Sequence, residues 1–252
     1  MKKKKIVYMI AVVLALVIIN CIPLISFTSK GMRQYDVSGV RLYCLPEDKE
    51  HGQQLITQIL ERRESLAATL SGTDIEGIDV VVYPSHTSLH INTFGLIGYF
   101  LPDWYIGKNT KNRVLITSPA HPGPVHSADS VSKAAVHEYV HVLTDRINRD
   151  IGYWLKEGLA LYLAQQVPSA EDVLEYSQGV QYDDFTTHNP FTFANYGGYS
   201  MAYSYIEYLE TVYGWEQIVN LIQKGSSYES VLGISEKDTF VKWKEWVRRR
   251  EG

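Results

Sequence analysis

Along this 252-residue chain the apolar positions recur in distinct patterns, each predicting a different kind of element. The first is an unbroken run. Positions 6–19 carry fourteen residues with no charge or strongly polar group, and the run continues through Asn20, Cys21 and Pro23 to Phe27. A helix over these 22 residues would span roughly 33 Å, against a hydrocarbon core of about 30 Å. The run follows Lys2, Lys3, Lys4 and Lys5, which belong on the cytoplasmic side of a bilayer. Residues 1–27 therefore read as a single-pass membrane anchor, with residues 28–252 outside the cytoplasm. A cleaved signal peptide is the alternative, although no small-x-small cleavage pattern is visible near 25–28.

Two further patterns organise the remainder. Leu55, Ile56, Ile59, Leu60, Leu66 and Leu70 follow the helical repeat and predict a helix over 53–70, stopped by Gly72. The β-branched runs at 78–83 and 113–117 end at Pro84 and Ser118-Pro119 and predict strands. Between them, glycines and prolines interrupt an aromatic-rich stretch over 94–105, which reads as an irregular loop or lid. His86 and His90 precede it, next to Pro84, and read as surface histidines of a short turn. A helix over 130–148, capped by Asp129 or Ser130, shows Val136, Val140, Leu143 and Ile147 on one side. Further helices are expected at about 154–166, 199–213, 215–224 and 236–250, the last opened by Ser235 and Asp238.

Composition narrows the class. Apolar residues make up 45% and charged residues 21%, values of an ordinary packed domain. With Lys2–Lys5 set aside, the 24 basic residues fall to 20 against 28 acidic ones, a balance of −8 that argues against nucleic-acid binding. Cys21 and Cys44 cannot supply a disulfide framework. One domain over 28–252 is expected.

The chemistry concentrates in His137-Glu138-Tyr139-Val140-His141, inside the predicted helix 130–148. Residues four apart share a helix face, so two imidazoles converge on one point and form a two-nitrogen metal seat. Glu138 is offset by about 100° around the helix, beside the seat rather than in it, where it can act as general base. A catalytic zinc site needs a third protein ligand. The Gly152 turn allows the segment Trp154-Leu155-Lys156-Glu157-Gly158-Leu159-Ala160 to double back, placing Glu157 one turn into a second helix. Gly158 and Ala160 leave room for close packing, and two histidines with one glutamate suit Zn2+. Asp145, four after His141, is spaced to orient that imidazole but reads as a solvated helix residue and is left out of the site.

H-E-Y-V-H followed by W-L-K-E-G-L-A resembles the gluzincin metallopeptidases, most of all the small bacterial proteins described as peptidase MA-like. The resemblance runs from about Leu42 to the C-terminus. It implies an α+β fold, a zincin-like domain with a small N-terminal sheet and a helical C-terminal part, here preceded by one transmembrane helix. By position it makes His137, His141 and Glu157 the zinc ligands and Glu138 the base. It also makes Tyr199, which begins the helix after the glutamate helix, the donor to the oxyanion; Tyr196 and Tyr203 compete for that role. The strand at 113–117 corresponds to the edge strand on which such enzymes lay an extended substrate. Fifteen residues separate His141 from Glu157, fewer than in the aminopeptidase N branch, and no G-x-M-E-N-type motif is visible, so an endopeptidase is implied. The expected activity is hydrolysis of peptide or protein substrates by a zinc-activated water. The alternatives are a tethered, catalytically silent metal-binding or sensor domain, or a zinc hydrolase of a non-peptide amide or ester. Oligomeric state is not indicated.

Overall fold

The computed structural model describes residues 2–72 and 76–251. The chain divides into two units, Met1–Ile59 with Gly77–Ala135, and Leu60–Glu76 with Val136–Gly252.

The first unit is built on a five-stranded sheet: β1 (Arg33–Val37), β2 (Val40–Cys44), β3 (Asp79–Tyr83), β4 (Gly107–Thr110) and β5 (Arg113–Thr117), in the order β1-β2-β3-β5-β4. β1 and β2 form a hairpin across Ser38 and Gly39, both with positive φ, the backbone that a two-residue turn needs to match strand twist. β2, β3 and β5 run parallel, and β4 returns antiparallel beside β5. Parallel neighbours require a crossover. Helix α2 (Lys49–Thr69) lies in sequence between β2 and β3, and α3 (His86–Phe94) between β3 and β4. β3 is buried at every position, as expected of a strand covered on both faces. Its first residue, Asp79, stands in register with Arg41 and Arg113 on the two flanking strands, and both guanidiniums reach its carboxylate, at 2.7 and 3.6 Å. That Arg-Asp-Arg row opposes a register slip, which would leave a buried carboxylate unpaired.

Several expectations are corrected here. Helices alternate with parallel strands, so the architecture is mixed α/β rather than α+β. The physical reason is that the parallel pairing of β2, β3 and β5 forces helical crossovers into the sheet region. The strand at 113–117 is not an edge: β5 is hydrogen-bonded on both sides, and the free edges belong to β1 and β4. The stretch after Tyr83 is ordered as α3, with Ser85 capping it by accepting from the Ser88 N–H at 3.1 Å, followed by a 3-10 turn over Gly95–Phe100. His90 is consequently buried, its Nε2 donating to the Tyr105 carbonyl at 2.6 Å, and burial lowers its pKa.

The N-terminal helix, α1 (Lys2–Ser26), meets α3, and its side chains from Lys4 to Val17 are exposed. Among the described residues no helix is long and apolar enough to cross a membrane. The four lysines belong to the helix itself. The side chains of 18–26 lie outside the described residues. The expected single-pass anchor, and with it the extracytoplasmic location assigned to 28–252, is therefore not supported. The chain after α1 is tied to the sheet: the Phe27 carbonyl accepts from the Tyr83 hydroxyl at 2.6 Å, and the Phe27 ring packs against Val81, Tyr83, Leu89 and Leu115.

The second unit is helical. It takes in the end of α2 and α4 (Ala128–Ile147) from Val136 onward. It continues with α5 (Tyr153–Leu163), α6 (Ala170–Gly179), α7 (Tyr182–Phe185), α8 (Pro190–Asn195), α9 (Gly198–Tyr213), α10 (Trp215–Gln223), α11 (Tyr228–Leu232) and α12 (Glu236–Glu251). α4 starts two residues earlier than its apolar pattern suggests, because Ser127 and Ser130 cap each other reciprocally at 2.9 and 3.2 Å. α5 packs closely on α9, and the core beside it is aromatic: Trp154, Phe185, Tyr205, Phe240 and Trp243 contact one another with ring centroids 4.2–5.6 Å apart. The Trp154 indole also donates to Glu236 at 2.9 Å, fastening α5 to α12.

Candidate metal centre

His137 and His141, on the part of α4 that belongs to the second unit, are both buried, and their Nε2 atoms approach to 3.0 Å. Glu157 is the fifth residue of α5, also buried. Its Oε2 lies 3.4 Å from His137 Nε2 and its Oε1 3.6 Å from His141 Nε2. All three donor atoms fall within 4.8 Å of one another. Bonds of about 2.0–2.1 Å at tetrahedral angles put donor atoms roughly 3.3 Å apart, close to the separation of the two nitrogens and of each nitrogen from its nearer carboxylate oxygen. The donor set thus has the size and the N,N,O chemistry that a zinc-like ion accepts, with one coordination position left over.

Electrostatics point the same way. Burial alone would raise the Glu157 carboxyl, yet the His141 and His137 imidazoles outweigh it and hold the carboxyl well below its ordinary range. Burial opposes the His137 imidazolium, while the Glu157 carboxylate, with Glu138 and Gln166 adding to it, raises its pKa overall. The triad is a buried anionic group facing two imidazoles, an arrangement that favours positive charge at its centre.

Two contacts align the helices that carry these ligands. Asp145 on α4 pairs with Lys156 on α5, both largely buried. Asp145 is thus ion-paired rather than solvated: it fastens the glutamate helix, while His141 Nδ1 is buried without a hydrogen-bond partner. On its other side α5 meets α9 at Gly158, where a Cβ would come within 2.5 Å of the Ala202 carbonyl oxygen. Only a glycine allows that approach. Arg62, late in α2, donates to the Leu163 carbonyl at the end of α5.

Glu138 is buried next to His137 and lies outside the three-donor group, near enough for its charge to act on both His137 and Tyr199. Tyr199, the second residue of α9, stands on the Glu157 side: burial first, then the Glu157 and Glu138 charges, raise its pKa. Its competitors are elsewhere. Tyr196 is exposed, and Tyr203 packs against Tyr162.

Two neighbours were not foreseen. Tyr153, one turn before Glu157 on the same face of α5, has its hydroxyl 3.4 Å from that of Tyr199, and burial first, then the Glu157 charge, raises its pKa, while Phe193 packs edge-on against both rings. The i−4 spacing from a candidate ligand was the signal available for it. Gln166, three residues beyond α5, places its Oε1 2.8 Å from His137 Nδ1. No local pattern marks it.

Compared with protein-family models and with curated proteins, the sequence finds no match.

Proposed function

We propose that the protein is a zinc-dependent metallopeptidase, with His137, His141 and Glu157 as metal ligands. The observation that carries this reading is the convergence of two buried imidazole nitrogens, 3.0 Å apart, on the two oxygens of the buried Glu157 carboxylate at 3.4 and 3.6 Å, with Glu138 beside them. When bound, zinc in such a donor set supplies Lewis acidity and brings the pKa of water toward neutrality. The chain's own residues do the rest. Glu138 takes the proton of the attacking water and delivers it to the leaving amine. Tyr199, kept protonated by burial, donates a hydrogen bond to the oxyanion as its charge develops. A closed structural zinc site has four protein ligands and no use for a carboxylate base; three donors with Glu138 adjacent favour a catalytic one.

The test is metal analysis of the purified chain with a casein or peptide-library cleavage assay. Zinc at one equivalent and chelator-sensitive cleavage are expected. Glu138→Gln should keep the zinc and lose the cleavage, and undiminished turnover in that variant refutes the mechanism.

A further inference from the structure

The end of α5 is built unusually. Gln165 adopts a left-handed backbone, φ 57°, at a position where glycine is the common choice. Its N–H bonds the Tyr162 carbonyl at 3.1 Å, and the next N–H, that of Gln166, reaches back to the Leu161 carbonyl at 3.0 Å. This pair of bonds reverses the chain sharply at the helix end. The reversal brings the Gln166 side chain over His137, whose Nδ1 it meets at 2.8 Å through its amide oxygen. A non-glycine residue in this conformation is strained, and such strain persists only where surrounding contacts impose it.

An amide oxygen accepts and cannot donate. His137 therefore donates from Nδ1, and in the neutral ring this leaves the lone pair on Nε2, directed at the point shared with His141 and Glu157. His141 has no equivalent support, since its Nδ1 is buried with no partner. One imidazole has a hydrogen-bond partner on its outer nitrogen and the other has none.

We infer that Gln166 is a positioning residue of the metal centre: its side-chain oxygen selects the His137 tautomer and holds the ring at the angle that presents Nε2 to a metal ion. The inference rests on the metal-site reading above and adds to it a ligand orienter supplied from beyond the glutamate helix. Outer partners of metal-bound histidines commonly change affinity by about 10–100-fold. Here the acceptor is neutral. A carboxylate at the same place would make the imidazole more basic.

The test uses the full chain and two substitutions. In metal-free protein, nitrogen-15 NMR of the histidines should show His137 protonated on Nδ1, and Gln166→Leu should move it toward the Nε2–H form. Competition with a chromophoric chelator should show zinc bound about 10–100-fold more weakly by Gln166→Leu, and by Gln166→Glu as tightly as by the wild type or more tightly. Unchanged tautomer and unchanged zinc affinity in Gln166→Leu would overturn the inference, as would weakened binding in Gln166→Glu. If the wild type takes up no zinc, the metal reading fails separately, and the tautomer shift in metal-free protein still decides the role of Gln166.

Discussion

Replacing Gly158 by alanine sets two physical effects of opposite sign against each other. Glycine inside a helix is about 1 kcal/mol worse than alanine, so propensity alone predicts that Gly158→Ala stabilises α5. Packing predicts the reverse. The new methyl carbon would stand 2.5 Å from the Ala202 carbonyl oxygen, 2.9 Å from Ile206 Cγ1 and 3.0 Å from the Ala202 carbonyl carbon. Ordinary contact begins at roughly 3.5 Å, so α5 and α9 must part by about 1 Å. Two of the three atoms are backbone and cannot swing aside. Overpacking costs typically about 1–3 kcal/mol, and with rigid neighbours the upper end applies, leaving a net loss of about 2 kcal/mol. For a chain of this size that lowers the thermal midpoint by about 4–8 °C. Because Glu157 is the adjacent residue, the same displacement pulls its carboxylate from the two imidazoles and weakens zinc uptake. Calorimetry and a chelator-competition titration read the two effects. A midpoint equal to or above that of the wild type would refute the claim that close seating of α5 on α9 sets the position of Glu157.

Other consequences can be measured directly. Removing zinc with a chelator should lower the thermal midpoint, since an ion bound at 100 times its dissociation constant adds about 2.7 kcal/mol of stability; an unchanged melt would count against a buried metal site. Tyr199→Phe should reduce kcat by about 100-fold, the scale of one lost oxyanion donor, with zinc content unaffected, whereas Tyr203→Phe should leave kcat unchanged; the opposite order would reassign the donor. Lys156→Met leaves the largely buried Asp145 carboxylate without its lysine partner and should destabilise the fold by about 1–3 kcal/mol while weakening zinc binding, both visible in the melt and titration above. Burial, with Asp48 and Glu47 adding to it, pushes the Cys44 thiol up to about 11. Its folded-state pKa lies above the unfolded value near 8.5. Stability from this thiol is thus complete below that value and declines as pH rises toward 11; in a Cys21→Ser background, thiol reagents at pH 8 should label Cys44 only after unfolding, and fast labelling of the folded chain would contradict this.

What could be read along the chain and what could not divide by range of interaction. That His137 and His141 share a face follows from the pitch of α4, and that Glu157 lies one turn into a second helix follows from the Gly152 break; both are local facts, available before any packing is known. Helices were likewise expected where α4, α5, α9, α10 and α12 stand but not at α6, α7, α8 or α11; where a period is clear, as in α4, periodicity records which side of a helix is covered. It does not record what covers it. The run at 113–117 reads the same whether it ends a sheet or lies inside one, so β5 was mistaken for an edge, and only the pairing of β3 and β4 on its two sides decides the matter. The mixed α/β order is decided in the same way, by strand pairings between segments tens of residues apart. The apolar run near the N-terminus was judged by its length, its hydropathy and the lysines before it, while the helix it belongs to takes in those four lysines. Asp145 was spaced to serve His141, yet its ion pair with Lys156 on another helix took it. Gln166 and Tyr153 reach the site through a left-handed helix end and a folded-back helix. Spacing within one element is set by backbone geometry and is written in the sequence; the partner of a side chain is set by which distant segment arrives beside it, and that exists only once the chain has folded.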